Sequence, residues 1–183
     1  MKYEFGIFST FYSGEEIPDW ISDRREGSSI SFTVPPSSPY SLRGLNFCFI
    51  YGVSVENLLP IVGIKISNIT KNQAWIYKTW VDYEKIREGI NIYLSHWMFG
   101  KNEMEDGDQI TITVLNPNGI RECGVSLVYD DGKMEEDALG YYKSWNHIIG
   151  GDLSPFQTTT PGVYFLNKWH FFRSSPRYKY IGM

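Results

Sequence analysis

Apolar and polar residues trade places with a period of two over short stretches along most of this sequence, and almost nowhere do they recur at the 3.6-residue spacing of a helix. That pattern restricts the chain to strands with one buried and one wet face. In 28–34 the apolar set is Ile30, Phe32 and Val34, with Ser29, Ser31 and Thr33 between them, and Pro35-Pro36 ends the run. Val62, Ile64 and Ile66 alternate with Gly63, Lys65 and Ser67 before the turn chemistry of 68–72. Segments 74–80, 90–97, 109–115 and 120–129 continue the pattern, the last with Cys123, Val125, Leu127 and Tyr129 inward. Leu45 to Tyr51 differs in being apolar on both faces, Asn46 excepted, so it reads as a central strand covered from both sides.

Asn116-Pro117-Asn118-Gly119 predicts a hairpin between 109–115 and 120–129, because Asn and Gly tolerate the positive φ of such turns. Strands at this spacing, separated by Gly, Pro, Asn and Asp clusters, point to an all-β, two-sheet antiparallel sandwich of jelly-roll or immunoglobulin-like type. Helical candidates at 55–59 and 82–87 amount to a turn or two each. The acidic stretch from Asp130 to Asp137 reads as a linker, dividing a sandwich over 1–131 from an aromatic-rich extension over 132–183. Fewer than 50 residues beyond it are too few for an independent core, so the extension packs on the sandwich, with 163–166 as a candidate edge strand, or trails from it.

Of the 183 residues 42% are hydrophobic, 16% aromatic and 21% charged, which belongs to a folded domain rather than a disordered one. A net charge of -4 and a pI near 5.4 speak against a nucleic-acid backbone as partner. The clustered cations Lys168, Arg173, Arg177 and Lys179 read as a solvated tail. Cys48 and Cys123 each sit in an apolar run and read as buried free thiols in a reducing compartment, with a disulfide as the alternative. No apolar run approaches the roughly 20 residues needed to span a bilayer. With no secretory signal pattern after Met1, the sequon Asn68-Ile69-Thr70 reads as accidental.

The chain carries none of the nucleophile-elbow, phosphate-cradle, CxxC or HExxH motifs. His96, His147 and His170 lack metal-ligand spacing. Glu103, Glu105, Asp106 and Asp108 fall where turns and solubility account for them, and a calcium site at Asp106-Gly107-Asp108 has only that triplet behind it. No catalytic, cofactor-binding or metal residues are therefore assigned. Most aromatics, Trp75, Tyr77 and Trp97 among them, belong on packed sheet faces. Trp80, Tyr83 and Phe99 fall at strand ends or in loops, where an exposed aromatic means a contact. Lys78, Trp80, Tyr83 and Lys85 in one connection, and Phe99, Lys101 and Asn102 in another, are the candidate protein-binding residues.

Gly14-Glu15-Glu16-Ile17-Pro18-Asp19-Trp20 followed by Glu26-Gly27-Ser28-Ser29-Ile30 resembles the G-x-E-I-P-x-W-F and G-S-S-I opening of the post-LRR domain of plant TIR-NB-LRR disease resistance proteins, also called the C-terminal jelly-roll and immunoglobulin-like domain. Leu45 to Ile50, Leu94-Ser95-His96-Trp97, Gly107-Asp108 and Ile120 to Asp130 are similar to later family segments in the same order, so the resemblance covers about Phe11 to Asp131. Ile149 to Gln157 also resembles tails of some such receptors. Ile21 stands where the family often has Phe, a change of packing residue. The resemblance implies a non-catalytic role without cofactor. The module, with the adjacent leucine-rich repeats, meets a pathogen effector, and binding relieves autoinhibition and permits receptor assembly. It implies a cytoplasmic or nucleocytoplasmic setting, no nucleic-acid or membrane partner, and NAD cleavage confined to a TIR domain without counterpart in this sequence. Ile17 to Trp20 is assigned to packing, with Trp20 covering a sandwich edge or the junction to the repeats. A carbohydrate-binding jelly roll is the rival reading, on the strength of architecture and surface aromatics.

Overall fold

The computed structural model describes residues 2–4, 7–36, 41–53, 61–80, 89–99, 103–130, 162–166 and 179–181. They form β1 (Lys2–Glu4), β2 (Ile7–Ser13), β3 (Asp23–Glu26), β4 (Ser29–Thr33), β5 (Ser41–Val53), β6 (Ile61–Asn68), β7 (Gln73–Trp80), β8 (Gly89–Met98), β9 (Gln109–Val114), β10 (Ile120–Asp130), β11 (Gly162–Leu166) and β12 (Lys179–Ile181). Two six-stranded sheets result, in the orders β1-β2-β8-β5-β10-β3 and β12-β11-β7-β6-β9-β4. Every pairing is antiparallel except β7 with β11 and β11 with β12, which run parallel. The helical candidates at 55–59 and 82–87 lie outside the described residues.

Alternation explains the sandwich. Leu45, Phe47, Phe49, Tyr51, Tyr93, Trp97, Cys123 and Val125 of the first sheet meet Ile30, Val62, Ile64, Ile66, Trp75, Tyr77, Ile110, Ile112 and Val114 of the second in one core. Each such burial contributes about 1.5–3 kcal/mol, which dominates any local preference. Tyr77 and Trp97 meet edge to face with ring centroids 5.8 Å apart, stitching the sheets together through two buried aromatics. The inward set assigned to β6 is buried throughout.

β5 is covered on both faces, as its continuous apolar run requires. Its outward Cys48 and Ile50, with Ile92 of β8, pack under Ile17 and Ile21. These two isoleucines belong to a strap, residues 14–22, that leaves β2 and crosses the outer face of the first sheet to reach β3 at the far edge. A turn in which the Ile21 N–H donates to the Pro18 carbonyl at 2.9 Å shapes the strap. Arg24 pins it by donating through Nη2 to the Pro18 carbonyl at 3.0 Å and through Nε to the Ile21 carbonyl at 3.3 Å. Trp20 does not cover an edge: it is 54% exposed, while its neighbours Ile17 and Ile21 do the packing. The odd spacing of the turn rotates Trp20 away from the sheet that Ile17 and Ile21 face.

The turn at 116–119 does not close a hairpin. β9 lies in the second sheet and β10 in the first, so the turn carries the chain from one layer to the other. The reason is local. The Ile120 N–H donates to the Pro117 carbonyl, and of the two central residues only Gly119 has positive φ, the type II pattern rather than the doubly positive I′ turn that matches hairpin twist. Gly119 is also needed for close approach, since a Cβ there would lie 2.9 Å from the Gly52 carbonyl oxygen.

Strands β1, β2, β3 and β12 carry no alternation strong enough to have been read from the sequence. The segment expected as an edge strand at 163–166 is strand β11, but β12 lies outside it, so β12 is the edge.

Candidate functional site

Of the two groups of expected contact residues, the structure describes the side chains of Lys78 and Phe99. Lys78 is half-buried on β7, two residues before the strand ends at Trp80 opposite Ile61. Phe99 follows the far end of β8, where its N–H donates to the Arg43 carbonyl. Tyr83, Lys85, Lys101 and Asn102 lie outside the described residues, as does the side chain of Trp80.

Phe99 is not an exposed contact. It is 9% accessible and packs its ring 5.6 Å from that of Trp75 inside the core. Its place just past a strand end looked like a loop position in sequence; its N–H bond to Arg43 continues the β5–β8 pairing, so Phe99 extends the inward series of Tyr93 and Trp97.

Beside Phe99 lies a polar knot that the sequence reading treated as solvated turn residues. Asn68, Glu103 and Asp108 are 1%, 2% and 4% exposed. Asp108 Oδ2 accepts from Asn68 Nδ2 at 2.7 Å and from the Glu105 N–H at 2.9 Å, and Lys71 Nζ stands 3.3 Å away. Lys71 Nζ also reaches Glu105 Oε2 at 2.6 Å. Asn68 Nδ2 donates further to the Glu103 carbonyl, and its Oδ1 accepts from the Lys71 N–H. The knot ties the β6–β7 turn, where Asn72 takes a φ of 50°, to the loop before β9. Its chemistry is that of a buried clasp whose acceptors are already occupied. Among the described residues no group of three or more His, Cys, Asp or Glu side chains is arranged to hold a metal ion. Because the Asn68 amide is sequestered here, the sequon at 68–70 presents no accessible acceptor in the folded domain.

His96 faces the outer side of the first sheet, with Nδ1 2.8 Å from Asn46 Oδ1. An amide oxygen only accepts, so Nδ1 carries the proton, and burial lowers the imidazole pKa to about 4. Cys48 and Cys123 are free and buried. Ser95 Oγ donates to the Phe47 carbonyl and accepts from Trp97 Nε1, which spends that hydroxyl on the core.

The fold defines the class: a two-layer β-sandwich, in which the buried clasp around Asp108 and the Ser95 hydroxyl serve to hold the scaffold together. The C-JID domain model matches residues 12–133. The chain belongs to the C-JID domain family, the non-catalytic module that follows the leucine-rich repeats in TIR-NB-LRR proteins. The matched span takes in the strap and everything from β3 to β10, whereas β11 and β12 lie beyond it. No significant match was found among curated proteins or among solved structures.

Proposed function

We propose that this chain is a recognition domain without catalysis which, together with the leucine-rich repeats of its parent receptor, contributes to pathogen effector recognition and receptor activation in plant defence. Membership of the post-LRR family over residues 12–133 is the observation that carries the reading. The sandwich suits the task, because rigid sheets let the connections at their ends vary at little expense to the fold. Lys78, Trp80, Tyr83 and Lys85 form the first proposed contact group, and Lys101 and Asn102 form the second. Phe99 is removed from the set by its burial. The setting proposed is cytoplasmic or nucleocytoplasmic, which suits two free thiols. With a net charge of -4, neither nucleic acid nor an anionic membrane is required as a partner.

The test is made in the full-length receptor. Combined Lys78→Glu, Trp80→Ala and Lys85→Glu substitutions are expected to abolish the effector-triggered response while the domain keeps its melting temperature within a few degrees. Lys101→Glu with Asn102→Ala is scored in parallel. A full response from both sets would reject these residues as contacts.

A further inference from the structure

The sandwich has two strand edges side by side on one flank, β3 of the first sheet and β4 of the second, joined by Gly27 and Ser28. They are built differently. β3 reads Asp-Arg-Arg-Glu, and all four residues are exposed, the charged edge by which natural sheets discourage further pairing. β4 reads Ser-Ile-Ser-Phe-Thr, without charge, proline or bulge, and its register with β9 runs unbroken from Ser29↔Thr113 to Thr33↔Gln109. The pairing of β5 with β10 shows, by contrast, two register shifts.

The bonding pattern says which groups of β4 are open. Val114 N–H donates to the Ser28 carbonyl and Val34 N–H donates to the Asp108 carbonyl, so the even-numbered residues of this strand turn their backbone groups toward β9. Those of Ser29, Ser31 and Thr33 turn outward, and among the described residues they have no backbone partner. The hydroxyls on the same strand are tied down. Ser29 Oγ and Thr113 Oγ1 are 3.0 Å apart, and Ser31 Oγ and Thr111 Oγ1 are 2.9 Å apart, so the open edge is held straight by cross-strand bonds instead of fraying.

We infer that the outer edge of β4 is a site for β-strand addition, taking an extended polypeptide segment of a partner protein through the backbone groups of Ser29, Ser31 and Thr33. Size decides against a second copy of the chain. A contact one five-residue strand long, about 17 Å, and about 10 Å deep covers on the order of 350 Å² in total, well short of the roughly 1,200 Å² of a stable interface. A single strand is what such an edge can hold. The guest alternates like β9, with apolar residues on the side of Ile30 and half-buried Phe32 and small hydroxyl residues on the side of Ser29 and Ser31. The inference deepens the recognition reading by naming a surface and a mode of binding, and it rests on that reading for the guest being protein.

The test uses this chain and a peptide copying Asp108 to Leu115, flanked by lysines for solubility and followed through the amide resonances of the ¹⁵N-labelled protein. Shifts concentrated at Ser29, Ser31 and Thr33 are expected. Ser31→Pro removes an outward N–H that β9 does not use, so it is expected to fold and to bind at least tenfold more weakly. Ser31→Lys, an edge charge with no backbone demand, is the second variant and is expected to weaken binding likewise. A peptide that displaces β9 would instead use Ile30 and Phe32, and its binding would survive Ser31→Pro, which would overturn the inference. Absence of shifts at saturating peptide overturns it too, as does a dimer in light scattering that Ser31→Pro dissolves. Failure here with an intact effector response would leave the recognition reading standing, so the two are separable.

Discussion

Cys48 and Cys123 sit on adjacent strands one position out of register, and their side chains leave opposite faces of the same sheet. Cys123 pairs with Phe49 and Gly124 pairs with Cys48. Cys123 lies in the core between the sheets, while Cys48 lies under the strap with Ile17 and Ile21. Period-two geometry forbids a disulfide between them, which settles in favour of free thiols the alternative that composition left open.

Burial pushes the Cys48 thiol up to about 12 and the Cys123 thiol up to about 11, with the neighbouring Arg24 opposing the effect at Cys48. Both stay protonated in the fold well above their ordinary 9.0, at which the unfolded chain begins to ionise. Their contribution to stability is therefore complete below pH 9 and is lost as pH rises through 9 toward 11 and 12. A chromogenic disulfide reagent at pH 8 is expected to count no thiols in the native protein and two in denaturant. A fast-reacting native thiol would contradict the burial.

Asp108 is the centre of the polar knot, and its loss should outweigh that of its partners. Asp108→Ala strands the Asn68 amide and the Glu105 N–H without their acceptor, a change of about 2–4 kcal/mol. In a chain of this size that lowers Tm by about 5–15 °C. Glu105→Ala removes only the outer half of the Lys71 pair, from a side chain 55% exposed, and is expected to change stability by less than about 1 kcal/mol. Equal losses from the two substitutions, measured by thermal melts, would mean that the surface pair and not the buried clasp holds this end.

The two layers, the central position of β5 and the inward sets of β4, β6 and β9 were legible in the sequence because burial on one face leaves a period-two trace. The four-residue β3 left no such trace, since all its side chains are exposed. The knot was illegible for a different reason. Asn68 and Asp108 are forty residues apart, and the burial of Asp108 depends on tertiary contact alone, so its local sequence reads as an ordinary turn. Asn68 in turn chemistry carrying a sequon was the one signal available. Phe99 reads as an exposed contact and lies in the core, and Trp20, 54% exposed, does not cover the sandwich edge that was one of its two expected places. Trp20 lies in a turn, where alternation gives no guide, whereas Phe99 continues the inward positions of β8 just past the end of the strand.

Gly124 of β10 leaves the space that the strap fills. A Cβ there would lie 2.6 Å from Ile21 Cγ2, 3.0 Å from the Asp23 carbonyl oxygen and 3.4 Å from Ile17 Cδ1. The nearest is a methyl on the branched Cβ of Ile21, which cannot swing clear as the tip of a long side chain would, so the strap must shift and Gly124→Ala is expected to cost about 1–3 kcal/mol. Lifting the strap uncovers Cys48 but leaves Cys123 in the inter-sheet core. Thiol labelling with mass spectrometry should therefore find Cys48 modified first in this variant. Simultaneous labelling of both cysteines would show that the strap does not open separately from the sandwich.

His96 makes the fold sensitive to mild acid. Its imidazole stays neutral in the fold down to about 4 because burial penalises the charged form, whereas in the unfolded chain it takes up a proton near its ordinary 6.5. The unfolded state thus binds the proton first as pH falls. The stability associated with neutral His96 is full above pH 6.5 and declines progressively from there to about 4, below which both states are protonated and the loss stops growing. Carboxylates titrate in the lower part of the same window, so a difference measurement is needed. His96→Gln keeps a donor for Asn46 Oδ1 without a titrating group. Between pH 6.5 and 4 the Tm of the unsubstituted protein is expected to fall more steeply than that of His96→Gln, with parallel curves above pH 7. Parallel curves over the whole range would show that His96 meets enough solvent to titrate as it does in the unfolded chain.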